Sequence, residues 1–184
     1  MKNSFKTAFS GMAVALGTVF MLLASMLPFF EYAVPAAAGI IILFVQAEIK
    51  KPWALGVYAA TSLLGVFVVP NKEAVGMYIA LFGIYPILKS FFDKPPKILS
   101  YILKSLYFVV DVVTVYYIMI NLLFISSAQE LMEDMTKVML PVLIICGLAA
   151  FLLYDRALML FERNYKIKYH KYVIRMFKSS SRNH

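Results

Sequence analysis

The amino-acid sequence predicts an all-α membrane protein, a bundle of six transmembrane helices with both termini in the cytoplasm. Three observations lead to this prediction. Hydrophobic residues make up 62% of the chain and the mean hydropathy is +0.79, whereas about half of a soluble domain is apolar. The apolar residues form six runs close to the length that crosses a bilayer. Basic residues collect in alternate connections between these runs.

Prolines separate the runs, because a helix is expected to stop near Pro28, Pro52, Pro70 and the pair Pro95 and Pro96. The six predicted spans are, in chain order, Ala8 to Pro28, Ala33 to Ala47, Trp53 to Val69, Ala74 to Phe92, Ile98 to Ile125 and Val138 to Phe161.

Two of these spans differ from an ordinary membrane helix in their sequence context or length. The first follows Lys2 and Lys6, as the apolar region of a signal peptide does, but it is longer and more spans follow it. We therefore expect an uncleaved helix. The second span is short, and an extension through Ile49 would lengthen it.

The distribution of basic residues predicts the orientation of the bundle. One side is rich in lysine and arginine and is predicted to be cytoplasmic: Lys2, Lys6, Lys50, Lys51, Lys89, Lys94, Lys97 and the tail from Arg163 to Arg182. The other side holds only Lys72 and Lys137. Its three connections run from Phe29 to Tyr32, from Pro70 to Glu73, and from Ser126 to Lys137. The net charge of +8 is thus attributed to topology and lipid headgroups, and not to nucleic-acid binding.

The chain divides into a transmembrane domain, residues 1–163, and a basic cytoplasmic tail, residues 164–184. Tyrosines and apolar residues recur in the tail at helical spacing between basic residues. This pattern is typical of an amphipathic helix on the inner leaflet. Continuation of the sixth helix into a cytosolic partner is the alternative.

Polar residues form a stripe on one face of the fifth span at about 100° per residue. Its members are Ser100, Lys104, Tyr107, Asp111, Thr114 and Asn121. Charges inside a bilayer are costly, so this face should point into the bundle. Matching depths across the antiparallel sixth span pairs Lys104 with Asp155. Arg156 is expected to reach the interface, Asp111 or a headgroup.

Asp111 has two interpretations. In one, it forms a structural ion pair with Lys104 or Arg156, which we call the ion-pair lock. In the other, it closes the floor of a polar cavity, since an intramembrane carboxyl group is a candidate site residue. The predicted outer ends carry more polar groups that could surround a ligand: Glu31, Asn71, Lys72, Glu73, Tyr78, Tyr117 and Asn121. An interfacial tyrosine belt with helix-ending charges is the alternative.

Small residues occupy two faces of the first span. Ala8, Gly11 and Ala15 share one face, and Ala13, Gly17 and Ala24 share the opposite one. Small residues allow helices to approach closely in a membrane. One face is enough for packing inside the protein, so the second suggests docking on a partner.

The sequence lacks the patterns of catalytic and metal sites. His170 and His184 lie far apart in the tail, and Cys146 is the single cysteine. We therefore predict a protein that is not an enzyme and that uses no cofactor.

The layout resembles the substrate-binding S components of energy-coupling factor (ECF) transporters. The resemblance covers the length, the six spans and the opening "FKTAFSGMAVALGTVFMLLASMLP". It implies a vitamin or similar micronutrient bound beneath the first outer loop, and a first helix that docks on a transmembrane coupling protein with ATPase subunits. A mixture of glycine and alanine replaces the alanine-spaced docking motif of that family.

By position, the resemblance assigns docking to Ala8, Gly11 and Ala15, or to Ala13 and Gly17. It places the ligand among the outer residues named above. Glu31, Lys72, Glu73 and Asn121 would fix its polar groups, and Tyr78 and Tyr117 would stack on it. The alternative function is a structural or scaffold membrane protein of a cell-envelope complex, with the same bundle and no ligand.

Overall fold

The computed structural model describes residues 3–26, 30–121 and 139–165. Its helices are α1 (Asn3–Met26), α2 (Ala33–Glu48), α3 (Lys51–Val68), α4 (Lys72–Met77), α5 (Tyr85–Phe92), α6 (Lys97–Asn121) and α7 (Met139–Asn164). A π-helical segment, Tyr78–Phe82, lies between α4 and α5. The predicted third outer connection, with Glu130, and the amphipathic tail after Tyr165 lie outside the described residues.

Among the described residues, five helical stretches are long and apolar enough to cross a membrane: Asn3–Met26, Lys51–Val68, Lys72–Phe92, Lys97–Val115 and Ile144–Asn164. Helix α2 has 16 residues and is about 24 Å long, less than the roughly 30 Å of a bilayer core. The described residues are therefore all-α, as the sequence predicts, and provide five helical stretches suited to a multi-pass membrane protein and one helix below spanning length.

Hydrogen bonds between residues near the helix ends define two ends of the bundle, which we name after Glu31 and Lys51. At the Glu31 end, the Ser25 hydroxyl near the end of α1 accepts a hydrogen bond from the Asn71 backbone N–H at 3.4 Å. At the Lys51 end, the Lys51 side chain bonds Ser90 near the end of α5. The Tyr165 hydroxyl after α7 bonds Glu48 there. The start of α1 and the end of α7 thus lie together at the Lys51 end, which is the predicted cytoplasmic side.

Helix α2 lies at the centre of the bundle. None of residues 34–49 is exposed, and the helix packs against α1, α3, α5, α7 and the π segment. Gly39 is needed for this packing. A Cβ atom at this position would collide with the Phe82 carbonyl oxygen and the Tyr154 hydroxyl, so α2 approaches both neighbours as closely as a glycine allows.

Pro86 explains why the helix is interrupted in the fourth predicted span. Proline has no N–H, so it cannot donate to the carbonyl four residues earlier, that of Phe82. The Tyr154 hydroxyl of α7 donates to this carbonyl instead, at 3.1 Å. The Gly83 N–H reaches back five residues to the Tyr78 carbonyl at 2.7 Å. The π segment is the backbone's accommodation to the proline.

Two further tyrosines donate to carbonyls of the π segment. The Tyr58 hydroxyl of α3 bonds the Ile79 carbonyl at 2.7 Å, and the Tyr107 hydroxyl of α6 bonds the Ala80 carbonyl at 2.7 Å. Three helices thus supply donors to the interrupted segment. Side chains replace the donors that a continuous helix would take from its own backbone.

Candidate functional site

Four charged side chains from three helical regions form a closed cluster at the Lys51 end. Lys104 Nζ lies 2.6 Å from Asp93 Oδ1 and 2.9 Å from Asp155 Oδ2. Lys89 Nζ lies 2.7 Å from Asp93 Oδ2 and 3.1 Å from Asp155 Oδ1. Each lysine therefore contacts both aspartates. We call Lys89, Asp93, Lys104 and Asp155 the charge cluster.

Burial and hydrogen bonding make the charge cluster a structural unit. The Lys89, Lys104 and Asp155 side chains are each 3% exposed, whereas that of Asp93 is 40% exposed. The Tyr85 hydroxyl also donates to Asp155 Oδ1, at 2.6 Å. Two lysines and two aspartates cancel formally, so the cluster can remain buried without a net charge. It joins α5, α6, α7 and the connection between α5 and α6.

The contact predicted between Lys104 and Asp155 is present in this cluster. Lys89 and Asp93 were not predicted to join it, although their i, i+4 spacing is a visible signal. Arg156 contacts neither aspartate in an ion pair. Its Nη2 is 3.3 Å from the Tyr101 hydroxyl at an exposed position.

Asp111 is separate from the charge cluster. It makes no ion pair within the described residues, so the predicted lock with Lys104 or Arg156 is wrong for this carboxyl group. Its Oδ2 atom is buried, and no hydrogen-bond partner for this atom is present in the part of the chain that the structure describes.

Asp111 instead lines an open groove on α6 with a volume of about 330 Å³. The groove is lined by Phe92, Leu103, Leu106, Tyr107, Val110, Asp111 and Thr114. The predicted polar stripe is therefore buried in the bundle at its start and exposed further along α6. Ser100 and Lys104 are buried, whereas Thr114 is exposed and donates to the Val110 carbonyl of its own helix at 2.7 Å.

The polar residues at the Glu31 end bond to one another. Asn71 Nδ2 donates to the Glu31 carboxylate, and the Tyr32 hydroxyl donates to Glu73 Oε1 at 2.8 Å. These contacts link the α1–α2 connection to the α3–α4 connection. We call Glu31, Tyr32, Asn71 and Glu73 the end latch. Asn71 also caps α4, since its Oδ1 accepts from the Ala74 N–H at 2.9 Å.

The other predicted ligand residues do not gather around one space. Lys72 Nζ donates to the Val66 and Val69 carbonyls at 2.7 and 2.9 Å, where a cation is favoured at the end of α3. Tyr78 is 1% exposed in the core, whereas Tyr117 is 67% exposed. The side chain of Asn121 lies outside the described part of the chain.

The structure separates the two small faces of α1. Ala13 and Gly17 are buried, and a Cβ on Gly17 would lie 3.1 Å from Thr61 Cγ2 of α3. Ala8, Gly11 and Ala15 are exposed. A Cβ on Gly11 would meet no atom of the described chain within 4 Å. One face therefore packs within the bundle and the other faces outward.

Comparisons with known proteins give no match. No protein-family model matches the chain, and neither a curated protein nor a solved structure does. A functional assignment therefore depends on where the structure places the predicted docking and binding residues.

Proposed function

We propose that this protein is the substrate-binding membrane subunit of an ECF-type uptake transporter for a vitamin or similar micronutrient. In this assignment both termini are cytoplasmic and the Glu31 end faces outward. The observation that supports it most is the exposed small face of α1 at Ala8, Gly11 and Ala15. The opposite small face already packs on α3, so the exposed one is available for the transmembrane coupling protein.

The physical reason is the packing of helices in lipid. Apolar side chains gain little by leaving lipid for another helix, so association depends on close backbone approach at small residues. Gly11 offers such an approach because it has open space around it. Its neighbour Met12 is 65% exposed and would extend the contact on one side of the glycine.

The hydrogen bonds of the end latch would close the route by which the proposed ligand enters. Tyr78 follows Asn71 by seven residues, about 10 Å along a helix, and lies buried beneath the latch. A micronutrient that enters from the Glu31 end must break the Asn71–Glu31 and Tyr32–Glu73 hydrogen bonds. Its own polar groups would then replace the partners that Glu31 and Glu73 lose.

Two glycine-to-leucine substitutions, at positions with open space around the glycine, test the docking proposal. Gly11→Leu places a large side chain on the proposed docking face. Gly56→Leu on α3 is the matched control, since a Cβ there also meets nothing within 4 Å. Each full-length variant is purified from its native membrane, and the co-purifying subunits are identified by mass spectrometry.

The expected result for the wild type and Gly56→Leu is a membrane subunit together with ATPase subunits. Gly11→Leu should lose all of them and keep the wild-type melting temperature. Retention of the ATPase subunits by Gly11→Leu, or their absence from the wild type, would contradict the proposal.

The second candidate function is a membrane scaffold without a ligand. The end latch favours it, because Glu31, Asn71 and Glu73 are satisfied by their neighbours and do not converge on an open pocket. Native mass spectrometry of the protein released from lipid vesicles separates the two functions. A retained micronutrient supports the transport subunit, and a ligand-free protein that co-purifies with structural envelope proteins supports the scaffold.

A further inference from the structure

We propose that the α6 groove is a lateral binding site for a lipophilic amine, with Asp111 as the group that binds the ammonium. The site goes beyond the proposed function, because none of the residues of the end latch lines it. The groove opens on the side of α6, where its lining residues Leu106 and Val110 are 58% and 57% exposed.

The free polar positions in the groove are all hydrogen-bond acceptors. The Tyr107 hydroxyl proton is donated to the Ala80 carbonyl, and the Thr114 hydroxyl proton is donated to the Val110 carbonyl. Each oxygen keeps accepting capacity. An ionised Asp111 also only accepts, and its buried Oδ2 has no partner among the described residues. The complementary ligand group is therefore a donor with positive charge, a protonated amine, and not an anion.

Two lysines of the described chain that lie near the groove are already paired. Lys104 lies two turns before Asp111 on the same helix, but its ammonium contacts Asp93 and Asp155. Lys89 contacts the same two aspartates. A carboxylate inside a membrane is costly without a counter-charge. Binding of an amine at Asp111 supplies this counter-charge from outside the described chain.

The apolar lining specifies the rest of the ligand. Leu103, Leu106 and Val110 give an aliphatic wall, and the rings of Phe92 and Tyr107 lie with centroids 5.4 Å apart. Aromatic faces attract cations and stack on rings. An aryl or alkyl body attached to the amine would therefore be buried against these side chains.

Size and depth distinguish a small molecule from other occupants. From Leu103 to Thr114 the groove covers about 16 Å of helix, whereas a partner helix packs along a bilayer core of about 30 Å. The volume of about 330 Å³ is at the lower end of the range for small-molecule pockets. Asp111 lies about 20 Å along α6 from Lys97, which is deeper than a lipid headgroup amine.

Binding of propranolol, a naphthyl secondary amine, tests the proposal. The full-length protein is placed in nanodiscs of zwitterionic lipid, and bound amine is measured by equilibrium dialysis with empty nanodiscs subtracted. Asp111→Asn removes the charge and keeps the shape. Leu106→Trp fills the groove. Val113→Trp is the matched control, because Val113 is 59% exposed on the same helix but does not line the groove.

We expect saturable binding to the wild type and to Val113→Trp. Asp111→Asn should bind about tenfold more weakly or worse, the loss expected for one charge-assisted hydrogen bond, and Leu106→Trp should not bind. Tetraphenylphosphonium, a cation without an N–H donor, should bind more weakly than propranolol.

Three results would overturn the proposal. The first is no saturable binding above empty nanodiscs. The second is equal binding by the wild type, Asp111→Asn and Leu106→Trp. The third is the absence of amine binding together with a membrane protein that co-purifies with the wild type and is lost from Asp111→Asn, since this would assign the groove to a partner helix. Leu106→Trp keeps the charge, so it provides the test even if Asp111→Asn misfolds. The presence or absence of ATPase subunits does not bear on this site.

Discussion

Replacing Asp155 by asparagine should destabilise the protein strongly, because it removes one of two carboxylates from the charge cluster. The asparagine keeps the shape and retains an acceptor for the Tyr85 hydroxyl. Lys89 and Lys104, each 3% exposed, would then share Asp93 as their remaining counter-charge within the described residues. Breaking a buried pair in this way costs about 3 to 5 kcal/mol of unfolding free energy. For a chain of this length, each kcal/mol corresponds to about 2–4 °C, so the melting temperature should fall by about 6–20 °C.

Thermal unfolding of the full-length protein in detergent measures this effect through the fluorescence of Trp53, the single tryptophan. Asp111→Asn is the matched control. It is the same chemical change, but at a carboxyl group without an ion-pair partner in the described chain, so it should cost less than about 1 kcal/mol. Adding Lys104→Met to Asp155→Asn restores the charge balance and should recover most of the loss.

Two outcomes would refute this reasoning. One is a melting temperature of Asp155→Asn equal to that of Asp111→Asn. The other is a further loss of stability, in place of a recovery, when Lys104→Met is added. Either outcome would mean that the buried lysines do not depend on Asp155 for their charge balance.

Three further predictions concern packing, hydrogen bonding and topology. Gly17→Leu should lower stability by more than the roughly 1–3 kcal/mol of ordinary overpacking because it forces α1 away from α3, while Gly11→Leu should melt as the wild type does. Tyr154→Phe should cost about 1–3 kcal/mol in a chemical-denaturation assay, since it leaves a buried carbonyl without a donor; Tyr101→Phe, at an exposed hydroxyl, should cost less than about 0.5 kcal/mol. A reporter enzyme fused after His184 should be active only in its cytoplasmic form, and activity of the external form would contradict the predicted orientation.

The sequence allowed the helices and one ion pair to be predicted, because both depend on regular geometry. Apolar runs mark the helices, and matching depths from the Lys51 end brought Lys104 and Asp155 together. The same reasoning missed Lys89 and Asp93. Asp93 follows α5 in a connection whose path no periodicity specifies, and Lys89 lies within an apolar span, where it resembles a residue that reaches the interface.

The polar groups at the Glu31 end could be identified from the sequence, but their partners could not. Glu31 and Asn71 are both polar loop residues, and a pattern along one chain does not reveal that two loops bond to each other. The stripe on α6 shows a second limit. Its spacing places Asp111 and Lys104 on one face, but the contacts of α6 with its neighbours decide which part of that face is covered.

The hydrogen bonds to the π segment have a consequence for how the protein is made. A helix that enters a bilayer with free carbonyl groups carries a free-energy penalty until donors arrive. The fourth span is synthesised before α6 and α7, which supply Tyr107 and Tyr154. The Phe82 carbonyl therefore receives its side-chain donor only after α7 has docked, since Tyr154 lies 72 residues after Phe82 in the chain. A chain truncated or stalled before α7 leaves the Phe82 carbonyl without this donor, so the fourth span of an unfinished molecule carries a free-energy penalty that the complete fold does not.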